Sequence, residues 1–377
     1  MLAWLFAGSL LLTGCATKPP SPTTTWHTTT LGLCEDYPEE TRSLEAARED
    51  LKTVQHSGAG VLRIAFGWDA IEPERGHYDW SFWDDFVRMA VDEFGIRLIP
   101  YVCYTPQWAA TEAGEDFWRS PPRDPEDFAR FMMTLVGRYK HAIHSWELWN
   151  EPDNSAYWLG TREQFAALVR TGSRAVRAAD PNHVIILPGH SAGIGAYGKP
   201  SEHGMKNVAL EMHFYPGHFG WSKPGAQVHG DWLQCAGGKG MCEWKARLAP
   251  LDTPFFVGEF QPWAQMGPEL GGQVTRATYD AYVAAGWATA AWTYKIVTND
   301  GGQGKGTWGL VTNARGSRVP KIDFNTAPLA DIERLFRQFG SVPYEPQQAA
   351  MRWMQSATPP APFAGLSVPS SSPTTSP

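Results

Sequence analysis

The chain has 377 residues, 43% of them hydrophobic, and a formal net charge of −7 from 32 basic and 39 acidic residues. This length is enough for one large domain or two ordinary ones, each with a sizeable core. The charges are scattered without a basic run, which argues against a nucleic-acid partner. Tryptophan is unusually abundant, with 18 residues. Its flat rings suit stacking against sugar faces, and the alternative is a tryptophan-rich core.

The N-terminus predicts an export signal that carries a lipid anchor. An apolar run too short to span a bilayer ends in small residues just before Cys15. The sequence Leu12-Thr13-Gly14-Cys15 resembles the bacterial lipobox, in which the cysteine is acylated. We therefore expect residues 1–15 to be a lipoprotein signal peptide with Cys15 as the lipidation site, and the protein to be a cell-envelope lipoprotein facing the outer membrane or periplasm. An ordinary signal peptide is the alternative.

Composition also predicts the limits of the folded body. Residues 16–26 read as a disordered linker, and the segment 346–377 ends in a tail rich in Pro, Ser and Thr. We therefore expect one catalytic domain over residues 27–345.

Export would place the cysteines in an oxidising compartment. Cys235 and Cys242 enclose a short glycine-rich stretch, and a disulfide between them is expected to close it as a loop. Cys34 and Cys103 fall near the ends of apolar runs, as buried hydrophobic residues do. Whether these two pair with each other is left open.

Between the termini, short apolar runs alternate with longer amphipathic segments, which is typical of βαβ units. The predicted strands are Thr29–Cys34, Val61–Phe66, Arg97–Cys103, Ile143–Trp149, Val184–Pro188, Val208–His213, Phe255–Glu259 and Ala288–Thr293. The helical segments are Thr41–His56, Ser81–Phe94, Pro125–His141, Arg162–Ala179, Lys245–Leu248, Gln273–Ala285 and Pro328–Phe339, and the unit after the fifth strand is poorly helical. Eight such units predict an α/β fold, a (β/α)8 TIM barrel. A doubly wound open sheet is the alternative.

Two apolar strands end in a lone carboxylate. The run Trp146–Pro152 delivers Glu151 just before a proline that stops the strand, and Phe255–Phe260 delivers Glu259 beside a glycine. Chemistry in a barrel of this type occurs at the C-terminal strand ends. Two carboxyl groups about 5 to 5.5 Å apart can cleave a glycoside with retention of configuration. Glu147 lies inside the strand and is interpreted as a buried structural partner.

These residues resemble the retaining glycoside hydrolases of clan A, most closely families 5 and 39, over nearly the whole mature body. The resemblance implies that Glu151 is the acid/base and Glu259 the nucleophile. It assigns the binding of substrate to Arg63, Asn150, His213, Tyr215 and Trp292. Among these, Asn150 would contact the sugar 2-hydroxyl, Trp292 would be a platform under the sugar, and Arg63 would also hold a carboxylate ionised. Family 5 usually carries a histidine after strand three, whereas Tyr101–Ala109 looks more like family 39.

Aromatic residues of the rim loops are further candidates for sugar binding, with packing between loops as the alternative. Tyr104 and Trp108 are the two that we assign to substrate binding. The others are Trp68, Trp158, Trp221, Trp232, Trp263 and Trp308.

Other chemistries are weakly indicated. Five histidines between residues 190 and 229 lack metal-ligand spacing, so we expect no metal and no cofactor. The loop 301–307 lacks the Ser or Thr that must follow the lysine of a phosphate loop. Gly189–Gly193 fits a serine-hydrolase elbow but does not open a helix.

The expected function is therefore hydrolysis of a β-linked carbohydrate, with β-glucan favoured over xylan, mannan or an exopolysaccharide. A silent glycan-binding lipoprotein or a transglycosylase on the same scaffold is the alternative. Nothing in the sequence requires more than a monomer.

Overall fold

The computed structural model describes residues 31–35, 43–112, 114–189, 199–200, 206–217, 225–262, 266–296, 309–314, 317, 322–323, 326–339 and 342–356. The predicted lipidation site Cys15, the linker, the tail and the sugar-binding candidates Trp221, Trp263 and Trp308 lie outside these residues. So does most of the segment after the fifth strand.

Eight parallel strands close into a barrel in sequence order, each paired with the next and the first with the eighth. The predicted (β/α)8 barrel is thereby confirmed. Because most strands are buried on both faces, they read as continuous apolar runs in the sequence. The strands are β1 (Gly32–Glu35), β2 (Val61–Gly67), β3 (Arg97–Cys103), β4 (Ser145–Leu148), β5 (Val184–Pro188), β6 (Val208–Phe214), β7 (Phe255–Phe260) and β8 (Ala288–Ala291).

Helices surround the barrel. In chain order they are α1 (Leu44–His56), α2 (Trp68–Ile71), α3 (Ser81–Arg88, continued by a π-helical turn over Met89–Glu93), α4 (Pro125–Tyr139), α5 (Arg162–Ala179), α6 (Gly225–Leu233), α7 (Met241–Leu248), α8 (Gly267–Ala284), α9 (Leu329–Phe339) and α10 (Gln348–Gln355). Short 3-10 turns cover Phe117–Arg119, Ala236–Gly238 and Ala249–Leu251.

Local sequence explains where the best-defined helices begin. The side chain of Ser43 caps α1, and Asp124 caps α4 directly before a proline in the first turn. Thr161 and Gln164 form a reciprocal capping box at the start of α5. These signals account for the close match between predicted and observed bounds in this part of the chain.

The inner face of the barrel changes character along its axis. Its lower part is an apolar cluster formed by Cys34, Val61, Ile99, Val184, Ile186, Ala209, Phe256, Ala288 and Ala290. Above it, toward the C-terminal strand ends, the buried residues are charged: Arg63 on β2, Glu147 on β4 and Glu211 on β6. The barrel is therefore a packed core with a polar site at one end.

A second, three-stranded sheet was not predicted. It consists of β9 (Lys295–Ile296), β10 (Val311–Asn313) and β11 (Tyr344–Pro346). Next to it, α10 packs on α8, where a Cβ on Gly272 would lie 2.9 Å from the Ala350 Cα. Helix α10, which belongs to the predicted C-terminal segment 346–377, is therefore packed on α8, and the domain bounds of 27–345 stay a prediction.

Cys235 and Cys242 form a disulfide. Cys34 and Cys103 are buried and are not disulfide-bonded, and the Cys34 thiol donates to the carbonyl of Gly258 at 3.1 Å.

None of the helices in the described ranges has the length and hydropathy needed to cross a bilayer.

Candidate active site

The chain turns sharply where β4 ends. Trp149 has a φ of 91° and Glu151 a φ of 39°, a region that residues other than glycine seldom occupy. Such conformations cost on the order of 1–3 kcal/mol each and persist where the surrounding structure holds them. Here Trp149 is fully buried and its Nε1 donates to the carbonyl of Tyr157 at 3.0 Å. The turn directs Glu151 to the rim of the barrel.

A bulge in β7 aligns Glu259 with the neighbouring strand. Met212 of β6 pairs with Val257, yet the next residue of β6, His213, pairs with Glu259, so the register skips Gly258. Bulges of this kind re-aim side chains and are common beside active sites. Glu259 and His213 consequently lie side by side on the neighbouring strands β7 and β6.

Arg63 organises the buried carboxylates. Its Nε and Nη2 donate to Glu147 at 2.8 and 2.6 Å, and its Nη1 donates to Glu259 at 2.8 Å. Nη2 also donates to the Asn150 Oδ1 at 2.8 Å, and the guanidinium lies 4.3 Å from the ring centroid of Tyr101. The Arg63 side chain is 0% exposed. Arg63 therefore pairs with carboxylates beneath the cleft, and Glu147 is buried, as the sequence analysis interpreted it. Binding of substrate by Arg63 stays a prediction.

Glu259 is held by three neighbours. Besides Arg63, the Tyr215 hydroxyl donates to its Oε2, and the His213 Nδ1 lies 3.3 Å from the same oxygen. Burial raises the pKa of Glu259 above its usual value, although the charges of His213 and Arg63 oppose the rise. Burial and the Glu259 charge raise the pKa of Tyr215 as well, so Tyr215 stays protonated and remains a donor.

Glu151 is the more open of the two predicted catalytic residues. Its side chain is 24% exposed, against 7% for Glu259. Its Oε1 lies 2.8 Å from the His213 Nδ1, and its Oε2 accepts from the Asn154 amide at 2.7 Å. Burial alone would raise the pKa of Glu151, but the hydrogen bond and charge of His213 outweigh it and leave the pKa below its usual value.

The carboxylates of Glu151 and Glu259 lie close to each other. An oxygen of Glu151, an oxygen of Glu259 and a ring nitrogen of His213 all lie within 4.8 Å of one another. Paired carboxyl groups of inverting glycosidases are about 6.5 to 9.5 Å apart, because a water molecule stands between them. The shorter spacing fits direct attack by one carboxylate.

His213 lies among three carboxylates. Besides Glu151 and Glu259, Glu211 approaches its Nε2 at 3.0 Å. Burial alone would lower the pKa of His213, but the carboxylates of Glu211, Glu259 and Glu151 together hold it well above its usual range. The structure surrounds His213 with acidic side chains, and its predicted binding of substrate stays a prediction.

Two sets of described residues come close enough to hold a metal ion, namely Glu147, Glu211 and His213, and Glu151, His213 and Glu259. Their oxygens and nitrogens already contact one another and Arg63. We therefore assign them as an ion-pair network and not as metal ligands.

The predicted aromatic residues separate into two groups. Trp292 follows β8 directly, is partly exposed and packs on the inner apolar cluster. Tyr104 follows β3 and is also partly exposed, with its ring edge-on to Trp118 and Trp149. Trp108 is partly exposed, donates from Nε1 to the carbonyl of Glu72 at 2.9 Å and lies under the Arg75 guanidinium. These three stand at the C-terminal face, as expected for residues near a substrate.

The remaining described aromatic candidates make packing contacts, which agrees with the alternative that the sequence analysis gave for them. Trp68 is 0% exposed and stacks on Phe131, and Trp158 is 4% exposed. Trp232 lies on α6, where its Nε1 donates to the Tyr282 hydroxyl at 3.0 Å.

Glu211 and Asn154 were missed by the sequence analysis. Glu211 precedes His213 by two residues, and the two-residue period of a strand puts both on one face. That period is the signal that could have found it. Asn154 lies in the turn after β4, where no periodic pattern marks it.

Replacing Arg63 with Met is expected to lower the free energy of unfolding by about 3–5 kcal/mol, because it leaves the carboxylate of Glu147 buried without its cation. Chemical denaturation measures this loss. Arg334→Met is the matched control, since Arg334 is 57% exposed in its pair with Asp331 and should matter little. Adding Glu147→Met to Arg63→Met should restore part of the stability. An Arg63→Met protein as stable as the wild type would contradict this role.

Comparison with known proteins agrees with the geometry. Residues 29–295 match the family model described as Cellulase (glycosyl hydrolase family 5). Among solved structures, a family 39 glycoside hydrolase from Bacteroides cellulosilyticus WH2 superimposes with a TM-score of 0.56 at 16% identity, covering 86% of this chain and 63% of that one. A monomeric beta-xylosidase from Caulobacter crescentus CB15 gives 0.58 at 16% identity, covering 84% and 70%.

A GH39 enzyme from Xanthomonas axonopodis pv. citri gives a TM-score of 0.57 at 15% identity, covering 84% of this chain and 68% of that one. At such identities these structures share the fold with this chain, which spans less than two thirds of the Bacteroides enzyme. The family model decides the choice between families 5 and 39 that the sequence motifs left open. The chain belongs to glycosyl hydrolase family 5 and is a retaining glycoside hydrolase built on a (β/α)8 barrel.

Proposed function

We propose that the protein hydrolyses a β-linked glucan by double displacement, with Glu259 as the nucleophile and Glu151 as the acid and then the base. The observation that carries this proposal is the approach of the two carboxylates to within 4.8 Å. At that spacing one carboxylate reaches the anomeric carbon while the other reaches the leaving oxygen.

The surroundings of Glu259 favour the role of nucleophile. Arg63 and Tyr215 both donate to it, and donors to a carboxylate stabilise its ionised form. Its low exposure excludes water from the attacking oxygens. A desolvated but hydrogen-bonded carboxylate is oriented for attack without losing its charge.

The position of Glu151 favours the role of acid/base. A general acid must lie beside the leaving group, and a general base beside the incoming water. The partly exposed Glu151 carboxyl is accessible from the cleft, whereas Glu259 is nearly closed off. The same group can therefore serve both half-reactions.

Sugar contacts are proposed for residues around these glutamates. The Asn150 Oδ1 accepts from Arg63, which leaves the amide nitrogen to donate to the 2-hydroxyl. Trp292, partly exposed at the end of β8, would stack under the cleaved sugar. Tyr104 and Trp108 would contact neighbouring sugars.

A β-glucan is the substrate class that the family description, Cellulase, favours. Xylan is the main alternative, because two structural neighbours are described as beta-xylosidases. Mannan and an exopolysaccharide are further alternatives.

The test is release of sugar by the purified full-length protein from β-1,3-, β-1,4- and mixed-linkage glucans, xylan and mannan. We expect the largest release from a glucan, and proton NMR of early product should show the β-anomer before mutarotation, because two displacements restore the configuration. Early α-anomer would refute double displacement. Longer oligosaccharides in place of reducing sugar would indicate transglycosylation, and binding without turnover on every polymer would contradict the proposal.

A further inference from the structure

Both ring nitrogens of His213 face carboxylate oxygens. The Nδ1 lies 2.8 Å from the Glu151 Oε1, and the Nε2 lies 3.0 Å from the Glu211 Oε1. The contact between the Nε2 and Glu211 is an ion-pair contact, since neither of these two buried atoms has a hydrogen-bond partner among the described residues. A nitrogen lone pair beside a carboxylate oxygen is repulsive, whereas a ring N–H is attracted to it, so carboxylate oxygens near both nitrogens favour a proton on each. The geometry therefore favours His213 as an imidazolium.

The fold reserves space for the carboxylate of Glu211. Glu211 is 2% exposed and shares a face of β6 with His213. A Cβ on Gly258 would lie only 2.2 Å from the Glu211 Oε1. The glycine at the bulge of β7 is thus what allows this carboxylate to approach the histidine.

The site contains more acidic than basic groups. The carboxylates are Glu147, Glu151, Glu211 and Glu259, the cations are Arg63 and His213, and the Tyr215 hydroxyl and the Cys34 thiol lie close by. Arg63 pairs with two of the carboxylates, and His213 contacts the others together with Glu259. Such a cluster retains a proton well, because each further ionisation adds a negative charge to a buried site.

The position of that proton matters for the proposed function, on which this inference rests. Acid catalysis requires a protonated Glu151, yet the contact with His213 favours the ionised form of Glu151 in the free protein. An imidazolium at His213 would hold that proton one hydrogen bond away, because its Nδ1 lies 2.8 Å from the Glu151 Oε1.

We propose that His213, kept doubly protonated by Glu211, stores the proton that Glu151 delivers to the leaving group, which makes Glu211 a positioning residue for acid catalysis. On substrate binding, the His213 Nδ1–H bond breaks and a bond to the Glu151 Oε1 forms. The imidazole becomes neutral and keeps its Nε2 proton toward Glu211.

The proton count closes over the full cycle. As Glu259 attacks, the glycosidic C–O bond breaks and the leaving oxygen takes the proton from Glu151. In the second half-reaction, water gives one proton to Glu151 while its oxygen attacks the anomeric carbon and the ester bond to Glu259 breaks. That proton returns to the His213 Nδ1, which restores the starting state.

The test is the pH dependence of kcat/KM for Glu211→Gln on phenyl β-cellobioside, whose poor leaving group needs the acid. Loss of a negative charge beside His213 makes the stored proton easier to lose, so the alkaline limb should move to lower pH by about 1 to 3 units. On 2,4-dinitrophenyl β-cellobioside, which needs no acid, the limb should be the same in both proteins. An unmoved limb on the phenyl substrate would overturn the proposal, even if the rate fell.

Glu211→Asp is the matched control, because it shortens the side chain but keeps the charge. Its alkaline limb should stay near that of the wild type. A limb as low in Glu211→Asp as in Glu211→Gln would contradict a role of the charge.

Nitrogen-15 NMR of the wild-type histidine rings tests the stored proton without any variant. We expect His213 to carry both ring protons at pH 7, and a neutral ring there would overturn the proposal. This readout does not depend on turnover. An inactive wild type or a fully active Glu259 variant would show that the proposed function is wrong. This outcome is distinguishable from a neutral His213 ring, which would show that His213 does not store the proton.

Discussion

Glu259→Ala is expected to reduce kcat/KM by at least about 10⁴-fold, since removal of a catalytic nucleophile can cost as much as about 10⁶-fold in other enzymes. The substitution removes the group that would form the covalent intermediate, and it leaves Arg63 and Tyr215 facing an empty space. Initial rates on 2,4-dinitrophenyl β-cellobioside measure the loss. The exposed Glu333, paired with Arg337 on α9, supplies the control Glu333→Ala, which should retain wild-type activity.

Added azide gives this variant a distinctive product. A small anion that enters the space left by Glu259 attacks the anomeric carbon from the face opposite the leaving group. One displacement inverts the configuration, so the product should be the α-glycosyl azide. A Glu259→Ala protein with more than about a tenth of the wild-type rate would refute the nucleophile assignment, because the proposed covalent intermediate is an ester of that carboxylate.

Glu151→Ala is expected to show a loss that depends on the leaving group. On phenyl β-cellobioside, kcat/KM should fall by about 10²- to 10⁴-fold, the usual contribution of a general acid. On 2,4-dinitrophenyl β-cellobioside it should fall far less, because that leaving group departs without a proton. The comparison of kcat/KM between the two substrates isolates the acid step from binding.

Azide separates the two glutamates further. In Glu151→Ala the glycosyl-enzyme still forms on Glu259, and azide then attacks it from the side where Glu151 stood, so the product should be the β-glycosyl azide. Azide should also raise kcat, since hydrolysis of the intermediate lacks its base. Equal losses on both leaving groups, or an α-azide from this variant, would contradict the division of roles.

Much of the fold followed from local sequence. The bounds of β3 and β5 agree with the predicted strands, and α5 agrees with its predicted segment, because apolar runs and capping residues are local signals. The sheet of β9 to β11 was missed, since strands of two or three residues carry no periodicity. Helix α10 was missed because the sequence analysis grouped its residues with the C-terminal segment 346–377, whose end is rich in Pro, Ser and Thr.

The site was predictable to the extent that its residues follow strands. Glu151, Glu259, Tyr215 and Trp292 stand at strand ends in the sequence and in the structure. Trp68 also follows a strand, but it turns inward onto Phe131 and is core. A position at the rim does not fix the direction of a side chain, because that direction depends on which neighbour offers the better packing.

The sequence by itself determined the barrel and the two strand-end glutamates, because hydrophobic periodicity and strand termini are encoded locally. Membrane attachment through Cys15 stays a prediction. Only the tertiary structure decided the charge network. It brings Glu147 and Glu259, which are far apart in the chain, to one guanidinium, and it brings Glu211 and Glu151 to the two sides of one imidazole. These contacts depend on barrel closure and on the bulge at Gly258, which fix the relative heights of separate strands. Electrostatic coupling acts through space, so its partners have no spacing that a sequence could reveal.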